Sequence, residues 1–329
     1  MQYQDAIDYI YGFLTPTARA SVEPYLAEEG IARTRALLAH CGYPQQGLRC
    51  VIVAGTKGKG STSVLIEAML RHAGLRVGLW TSPHLSSYRE RMQINREPIS
   101  QSALIDGVVA LQPLIASFDH QRYGRPSVFE IGFVLALRWF RQQQVDLAVL
   151  EVGLGGRFDC ANTCDPDLTL ISSISYDHMA ILGSTLREIA WNKAGILRTG
   201  VPAATVPQAP EAAESIAAEA AAVAVPLVIA GPDAAAAPNG RRLHYPAAPD
   251  TVSLLGDFQH ENAALAMSGA LLLREAGWPL TDAAIIAGLH DARWPARFEL
   301  VAGPPRVLID GAHNADSAAK LLAAIRREL

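Results

Sequence analysis

The run Gly55-Thr56-Lys57-Gly58-Lys59-Gly60-Ser61-Thr62 combines the residue types that hold a phosphate. Glycines let backbone N–H groups converge on an anion, Lys59 can neutralise β/γ oxygens, and a following helix adds the positive end of its dipole. The spacing differs from the common phosphate loop: two residues separate Gly55 from Gly58, and Gly60 stands between Lys59 and the hydroxyl residues. The setting lifts the pattern above a flexible basic turn, because it lies between an apolar strand and a helix whose apolar face includes Leu65, Ala68 and Met69. A second candidate is Asp146-Leu147-Ala148-Val149-Leu150-Glu151-Val152-Gly153-Leu154-Gly155-Gly156-Arg157. A lone carboxylate after a buried strand is costly unless a cation meets it. Glu151 therefore reads as a Mg²⁺ ligand or, alternatively, as the ion-pair partner of Arg157.

Such groups need a frame. Short apolar strands at 50–54, 77–81, 147–152 and 168–174 alternate with helical stretches, which predicts an α/β fold with a mostly parallel sheet covered on both faces. Functional residues belong at the carboxyl ends of its strands. Residues 1–49 read as helices, with an apolar run through Ile31, Leu37 and Leu38 that Gly42 stops. An alanine-rich helix covers 209–224, and 231–250, with Pro232, Pro238, Asn239, Gly240 and Pro246, reads as surface loops or short hairpin strands. Helices follow at 259–276 and 282–289. Arg293-Trp294-Pro295-Ala296-Arg297 looks like a linker, after which a strand (306–310), a turn and a helix begin.

Of the 329 residues, half are apolar and 18% charged, enough for one large domain plus part of another and too apolar for disorder. A net charge of −4 leaves no basic footprint for nucleic acid. Cys41, Cys50, Cys160 and Cys164 are too scattered for a disulfide scaffold and fit a reducing cytoplasm. No second Cys/His pair joins Cys160 and Cys164 in a metal-binding spacing, so both are read as structural. Asp5 and Asp8 stand where a secretory signal would be basic, and the longest uncharged stretch, 220–232, is broken by Pro226 and falls short of the ~20 residues of a membrane span.

Further motifs follow in order: Thr81-Ser82-Pro83-His84-Leu85, Arg89-Glu90-Arg91, Ile94-Asn95, Ser127-Val128-Phe129-Glu130, Asp177-His178, Leu182-Gly183-Ser184-Thr185, Lys193-Ala194-Gly195-Ile196, Gln259 with Asn262-Ala263, Trp294-Pro295-Ala296-Arg297-Phe298-Glu299, and Asp310-Gly311-Ala312-His313-Asn314. Together with the phosphate loop, this series resembles the dihydrofolate synthase/folylpolyglutamate synthase family, a branch of the Mur ligases, across nearly all of the chain. The resemblance implies a Mur-type ATP- and pterin-binding domain over 1–297 and, over 298–329, the opening strand and helix of a Rossmann-like glutamate-ligase domain. It implies an ATP-dependent ligase that joins L-glutamate to dihydropteroate or reduced folates through an acyl phosphate, as a cytoplasmic monomer without nucleic-acid or membrane partners.

By the same resemblance, Gly55, Thr56, Gly58, Lys59, Gly60, Ser61 and Thr62 bind the ATP phosphates, and Asn262, Arg297 and Asp310 contact the nucleotide. Ser82, Glu151 and His178 hold Mg²⁺, two ions in all. Ser127, Phe129, Glu130 and the loop Leu154-Gly155-Gly156-Arg157 face the pterin, and His313 meets the incoming glutamate. Lys59, Lys193, His178 and Arg297 serve the chemistry, with Lys193 carbamylated on a helix that Thr185 and Glu188 cap. Lys57 stands where the family typically has Asn, Asn192 where an acid is usual and Ala296 where glycine is usual. Two rivals share the phosphate site: a cell-wall Mur ligase and a non-catalytic nucleotide-binding fragment. About thirty residues beyond Arg297 fall short of the roughly 50 a free-standing domain needs. The strand there is therefore expected to find no neighbouring strand unless the segment folds back on the first domain or pairs with another chain. The tail is expected to be poorly anchored, and ligation weak or absent.

Overall fold

The structure is a computed structural model that describes residues 1–14, 24–232, 234–237, 239–312 and 315–328. Its centre is a sheet of ten strands among the described residues: β1 (Cys50–Ala54), β2 (Val77–Trp80), β3 (Met92–Ile94), β4 (Glu97–Pro98), β5 (Leu147–Glu151), β6 (Leu168–Ile171), β7 (Ala203–Thr205), β8 (Leu227–Ile229), β9 (Ala234–Ala236) and β10 (Arg242–His244). Their order is β10-β9-β8-β7-β6-β1-β5-β2-β3-β4. Neighbours from β8 through β2 run parallel, and both edges are antiparallel, so the expected α/β architecture is present. The stretch 231–250 contributes a hairpin, β9 against β10, because so short a connection cannot make the crossover that parallel pairing requires.

Alternate residues of β1 enter opposite cores: Cys50, Ile52 and Ala54 on one face, Val51 and Val53 on the other. A strand buried on both faces must be apolar throughout, which is why Cys-Val-Ile-Val-Ala shows no alternation. The first face is covered by the helices Tyr3–Tyr11, Gln101–Ala116 and Val128–Gln142, the second by Lys59–His72, Phe258–Glu275 and Asp282–Asp291. In the helix Lys59–His72, Val64, Leu65, Ile66, Met69 and Leu70 are fully buried. Each such side chain stabilises the fold by roughly 1.5–3 kcal/mol, so the helix that begins at Lys59 is held firmly in register with β1. Among the described residues no helix is long and apolar enough to cross a membrane.

The same helix buries a carboxylate. Glu67 is 0% exposed and pairs with Arg71 Nε at 3.2 Å, yet burial outweighs the nearby Arg71 and Arg96 and pushes its pKa up to about 7. A carboxyl that binds its proton more tightly when folded favours the folded state most below its unfolded pKa and loses that advantage as pH rises toward 7. The melting temperature is therefore expected to fall between about pH 5 and 7.5. Glu67→Gln should remove this slope, and an unchanged slope in thermal melts of the variant would refute the assignment.

The last segment departs from expectation. β12 (Val307–Ile309) does have a neighbour: β11 (Glu299–Val301), a strand too short to be legible in the sequence, pairs with it antiparallel, with Leu300 opposite Leu308. Val307 and Ile309 stay exposed on this two-stranded ribbon. The helix Ala315–Glu328 then folds back on the first unit, where Ala324 is buried and Arg327 pairs with Asp257.

Candidate active site

β6, β1, β5 and β2 are adjacent and parallel, so the segments that leave their carboxyl ends meet along one edge of the sheet. The phosphate loop follows β1, Ser82 follows β2, Glu151 ends β5, and residues 172–178 follow β6. β6 ends earlier than the apolar run 168–174 implied because the chain there leaves the ladder to meet the phosphate loop. Thr56 N and Lys57 N donate to Ser173 O at 2.9 and 3.1 Å, and Thr56 Oγ1 donates to Ser175 O at 3.1 Å. Gly58 has φ +87°, and a side chain there would collide with the Asn262 carboxamide, so glycine is required on both counts.

Lys59, Ser82, Glu151, His178, Asn262 and Arg297 line one cavity of about 390 Å³. Thr56, Gly58, Gly60, Ser61 and Asp310 also border it, whereas Gly55 and Thr62 do not. Asn262 sits within the helix Phe258–Glu275, its Nδ2 donating to Gln259 Oε1 at 2.9 Å, so it is not a helix cap. The Asp310 carboxylate accepts from Phe298 N at 2.8 Å and Ala312 N at 2.7 Å, tying the linker to the turn after β12.

Glu151 is buried, and its Oε2 accepts from Ser82 N at 2.9 Å. Arg157, the alternative partner, instead pairs with Glu219 and lies 4.0 Å from the centroid of the Trp191 ring. Burial raises the pKa of Glu151 against the pull of Lys59, and burial likewise lowers that of Lys59. Desolvation thus exceeds the attraction between the two, and an anion at Lys59 or a cation at Glu151 would restore the charged form. Among the described residues no three Asp, Glu, His or Cys side chains gather as a metal site. One carboxylate, one hydroxyl and one imidazole nevertheless fit magnesium, which keeps several waters and takes phosphate oxygens. Glu151 makes no ion pair among the described residues, which leaves its charge for such a cation.

Lys193 is 4% exposed and donates from Nζ to Gly55 O at 2.8 Å, placing it behind the phosphate loop. Its helix, Leu186–Ala194, starts with the expected capping box of Thr185 and Glu188. Burial first, and then the ammonium of Lys59, lower its pKa to about 7. The departure at Asn192 has a neighbour here: its carboxamide abuts Gly155, and Gly156 lies directly against the Lys193 backbone.

The expected pterin-side residues form a separate group beside the cavity. Ser127 caps the helix Val128–Gln142, and Phe129 stands edge-on to Trp80 at 5.5 Å and against Gly153, from which Leu154, Gly155 and Gly156 continue. The Glu130 carboxylate is already engaged, accepting from Arg33 Nε and Thr34 Oγ1 at 3.0 Å and from Ser127 N at 2.7 Å. His313 lies outside the described residues. Sequence reasoning missed Asp159, a buried carboxylate whose Oδ2 accepts from Gly153 N at 3.0 Å and Leu154 N at 3.1 Å and so shapes that loop. It also missed Lys320, which reaches the cavity wall from the last helix and whose spacing gave no signal.

Comparison with known proteins places the chain in a family. Residues 53–270 match the Mur ligase middle domain. The chain is 39% identical to dihydrofolate synthase/folylpolyglutamate synthase of Bacillus subtilis (strain 168), over 97% of this chain and 75% of the relative. It is 36% identical to folylpolyglutamate synthase of Lacticaseibacillus casei, over 99% of this chain and 77% of the relative. A solved FPGS-AMPPCP-folate complex superposes with TM-score 0.87 at 33% identity, covering 100% of this chain and 81% of that one. A Mycobacterium tuberculosis folylpolyglutamate synthase complexed with ADP and AMPPCP superposes with TM-score 0.79 at 30% identity, over 91% of this chain and 71% of that one. With its phosphate loop, its carboxylate at the end of β5 and these likenesses along its length, the chain belongs to the dihydrofolate synthase/folylpolyglutamate synthase family of Mur-type ligases.

Proposed function

We propose that the chain uses ATP to activate the carboxylate of dihydropteroate or a reduced folate and joins it to L-glutamate. The observation that carries this reading is the convergence of Lys59, Glu151, Ser82, His178, Asn262 and Arg297, from separate segments, on a single cavity. An acceptor carboxylate oxygen attacks the γ-phosphorus, the β–γ bridging bond breaks and ADP leaves. The amine of glutamate then attacks the acyl carbon, phosphate departs and a proton is released. Neither step requires a protein nucleophile, so catalysis rests on positioning and charge. The backbone N–H groups of the phosphate loop and Lys59 hold the phosphates on one side, and Arg297 offers a guanidinium from the linker.

Ser82, Glu151 and His178 are the side chains that would hold magnesium, which when bound neutralises phosphate oxygens. Phe129 and the 154–157 loop are the proposed wall for the pterin. Within this reading Lys193 carries a carbamate, the residues from 298 onward open the glutamate-binding unit, and the enzyme works as a monomer. The four buried free thiols suit a cytoplasmic location.

The test is incubation of the purified chain with ATP, Mg²⁺, L-glutamate and either dihydropteroate or a reduced folate, with ADP and the new amide followed by mass spectrometry. ADP release that depends on both acceptor and glutamate, however slow, is the expected result. ATP binding without acceptor-dependent product would favour the non-catalytic reading, and turnover with a nucleotide-sugar peptide would favour a cell-wall ligase.

A further inference from the structure

Three ammonium groups surround the phosphate loop, and two have roles in the reading above: Lys59 opens the helix and Lys193 supports Gly55 from behind. The third, Lys57, borders the cavity and pairs with Asp177 through Nζ and Oδ2 at 3.2 Å. The side chains of this pair are only 19% and 22% exposed, so it is not one of the solvated surface pairs that contribute little. Its backbone is anchored, with Lys57 N donating to Ser173 O at 3.1 Å, and the ion pair to Asp177 is what holds the ammonium. The other oxygen of Asp177, Oδ1, accepts from His178 N at 3.0 Å. His178 itself has φ +48° and ψ +38°, a left-handed conformation that a non-glycine residue keeps only where its surroundings hold it. One carboxylate therefore links the ammonium of the phosphate loop to the residue that carries the imidazole.

We propose that Lys57 is a positioning residue: its ammonium holds Asp177, and through it the His178 turn, against the phosphate loop, and adds a second positive charge beside Lys59 for the nucleotide's polyphosphate. The two halves of the role are separable. Charge beside the phosphates acts with or without a metal, whereas the tether to the His178 turn acts only on what the imidazole binds. Lys57 and Asp177 together thus set how strongly nucleotide binding and magnesium binding reinforce one another.

This inference rests on the nucleotide reading of the cavity, and calorimetric titration of the whole chain with ATP, first in EDTA and then across a Mg²⁺ series, separates the two. Lys57→Met is expected to bind metal-free ATP about tenfold more weakly, the loss of one charge-assisted contact. Lys57→Arg, which keeps the charge, should stay close to the unaltered chain. Asp177→Asn should keep or raise its metal-free affinity, because an anion of the cavity wall and no cation is lost, but show a smaller gain in ATP affinity on adding Mg²⁺. Melting curves accompany each variant, since a loosened loop would also weaken binding. A Lys57→Met protein with unaltered melting, unaltered metal-free affinity and an unaltered gain from Mg²⁺ would overturn the inference. If the unaltered chain binds no ATP with or without Mg²⁺, the nucleotide reading itself fails.

Discussion

Glu151→Gln is expected to lower turnover by about 10²–10³-fold while leaving the melting temperature unchanged or slightly raised. The two halves of this expectation have different causes. Activity falls because the amide is neutral, and the cavity then holds no carboxylate at the end of β5 to meet a cation beside the phosphates. Stability does not fall because the glutamine carbonyl can still accept from Ser82 N, which Glu151 Oε2 does now at 2.9 Å. Burial already disfavours the Glu151 charge, so its removal relieves a desolvation cost. Were the carboxylate half of a structural ion pair, the opposite would hold, but Arg157 is committed to Glu219. Steady-state rates across a Mg²⁺ series, with a melting curve, decide the matter: lost stability with turnover and Mg²⁺ requirement intact would sink the assignment.

Lys193→Ala should abolish measurable ligation, with partial recovery on adding acetate or formate. Lys193 occupies a buried space behind Gly55, and truncation to alanine opens room there for a small carboxylate. The proposed carbamate forms when the neutral amine attacks CO₂: the N–C bond forms, one C–O π bond becomes the carboxylate charge, and the proton leaves to solvent. Burial and the neighbouring Lys59 make this feasible near neutrality, because a pKa of about 7 leaves a large share of the amine unprotonated. The pH dependence has a definite sign. Below pH 7 the ammonium form takes over, the carbamate is lost and activity declines; above it the amine is available, and added bicarbonate should extend activity toward lower pH. A carbamate resonance from ¹³C-labelled bicarbonate that is absent in Lys193→Ala supports the modification. Failure of acids to rescue the variant, together with no such resonance, would exclude it.

The four parallel strands that build the site were legible because strands buried on both faces must be apolar from end to end, and the phosphate loop was legible because its glycines, lysines and hydroxyls occur together in the chain. The hairpin of β9 and β10 was legible only as one of two alternatives for 231–250, and β11 with its pairing to β12 was not, since three-residue strands carry too little periodicity to be seen. By itself the sequence determined the chemistry on offer: a phosphate-binding turn, a carboxylate ending a strand, and a lysine on a capped helix. Tertiary structure decided which of these meet. The pairing of Arg157 with Glu219 rather than Glu151, the passage of Lys193 behind Gly55, the capture of Asp177 by Lys57 and the return of Lys320 to the cavity all join residues far apart in the chain. Partner choice of that kind depends on the order and direction of strands in the sheet, which brings the carboxyl ends of β6, β1, β5 and β2 to one edge and leaves no trace in local composition.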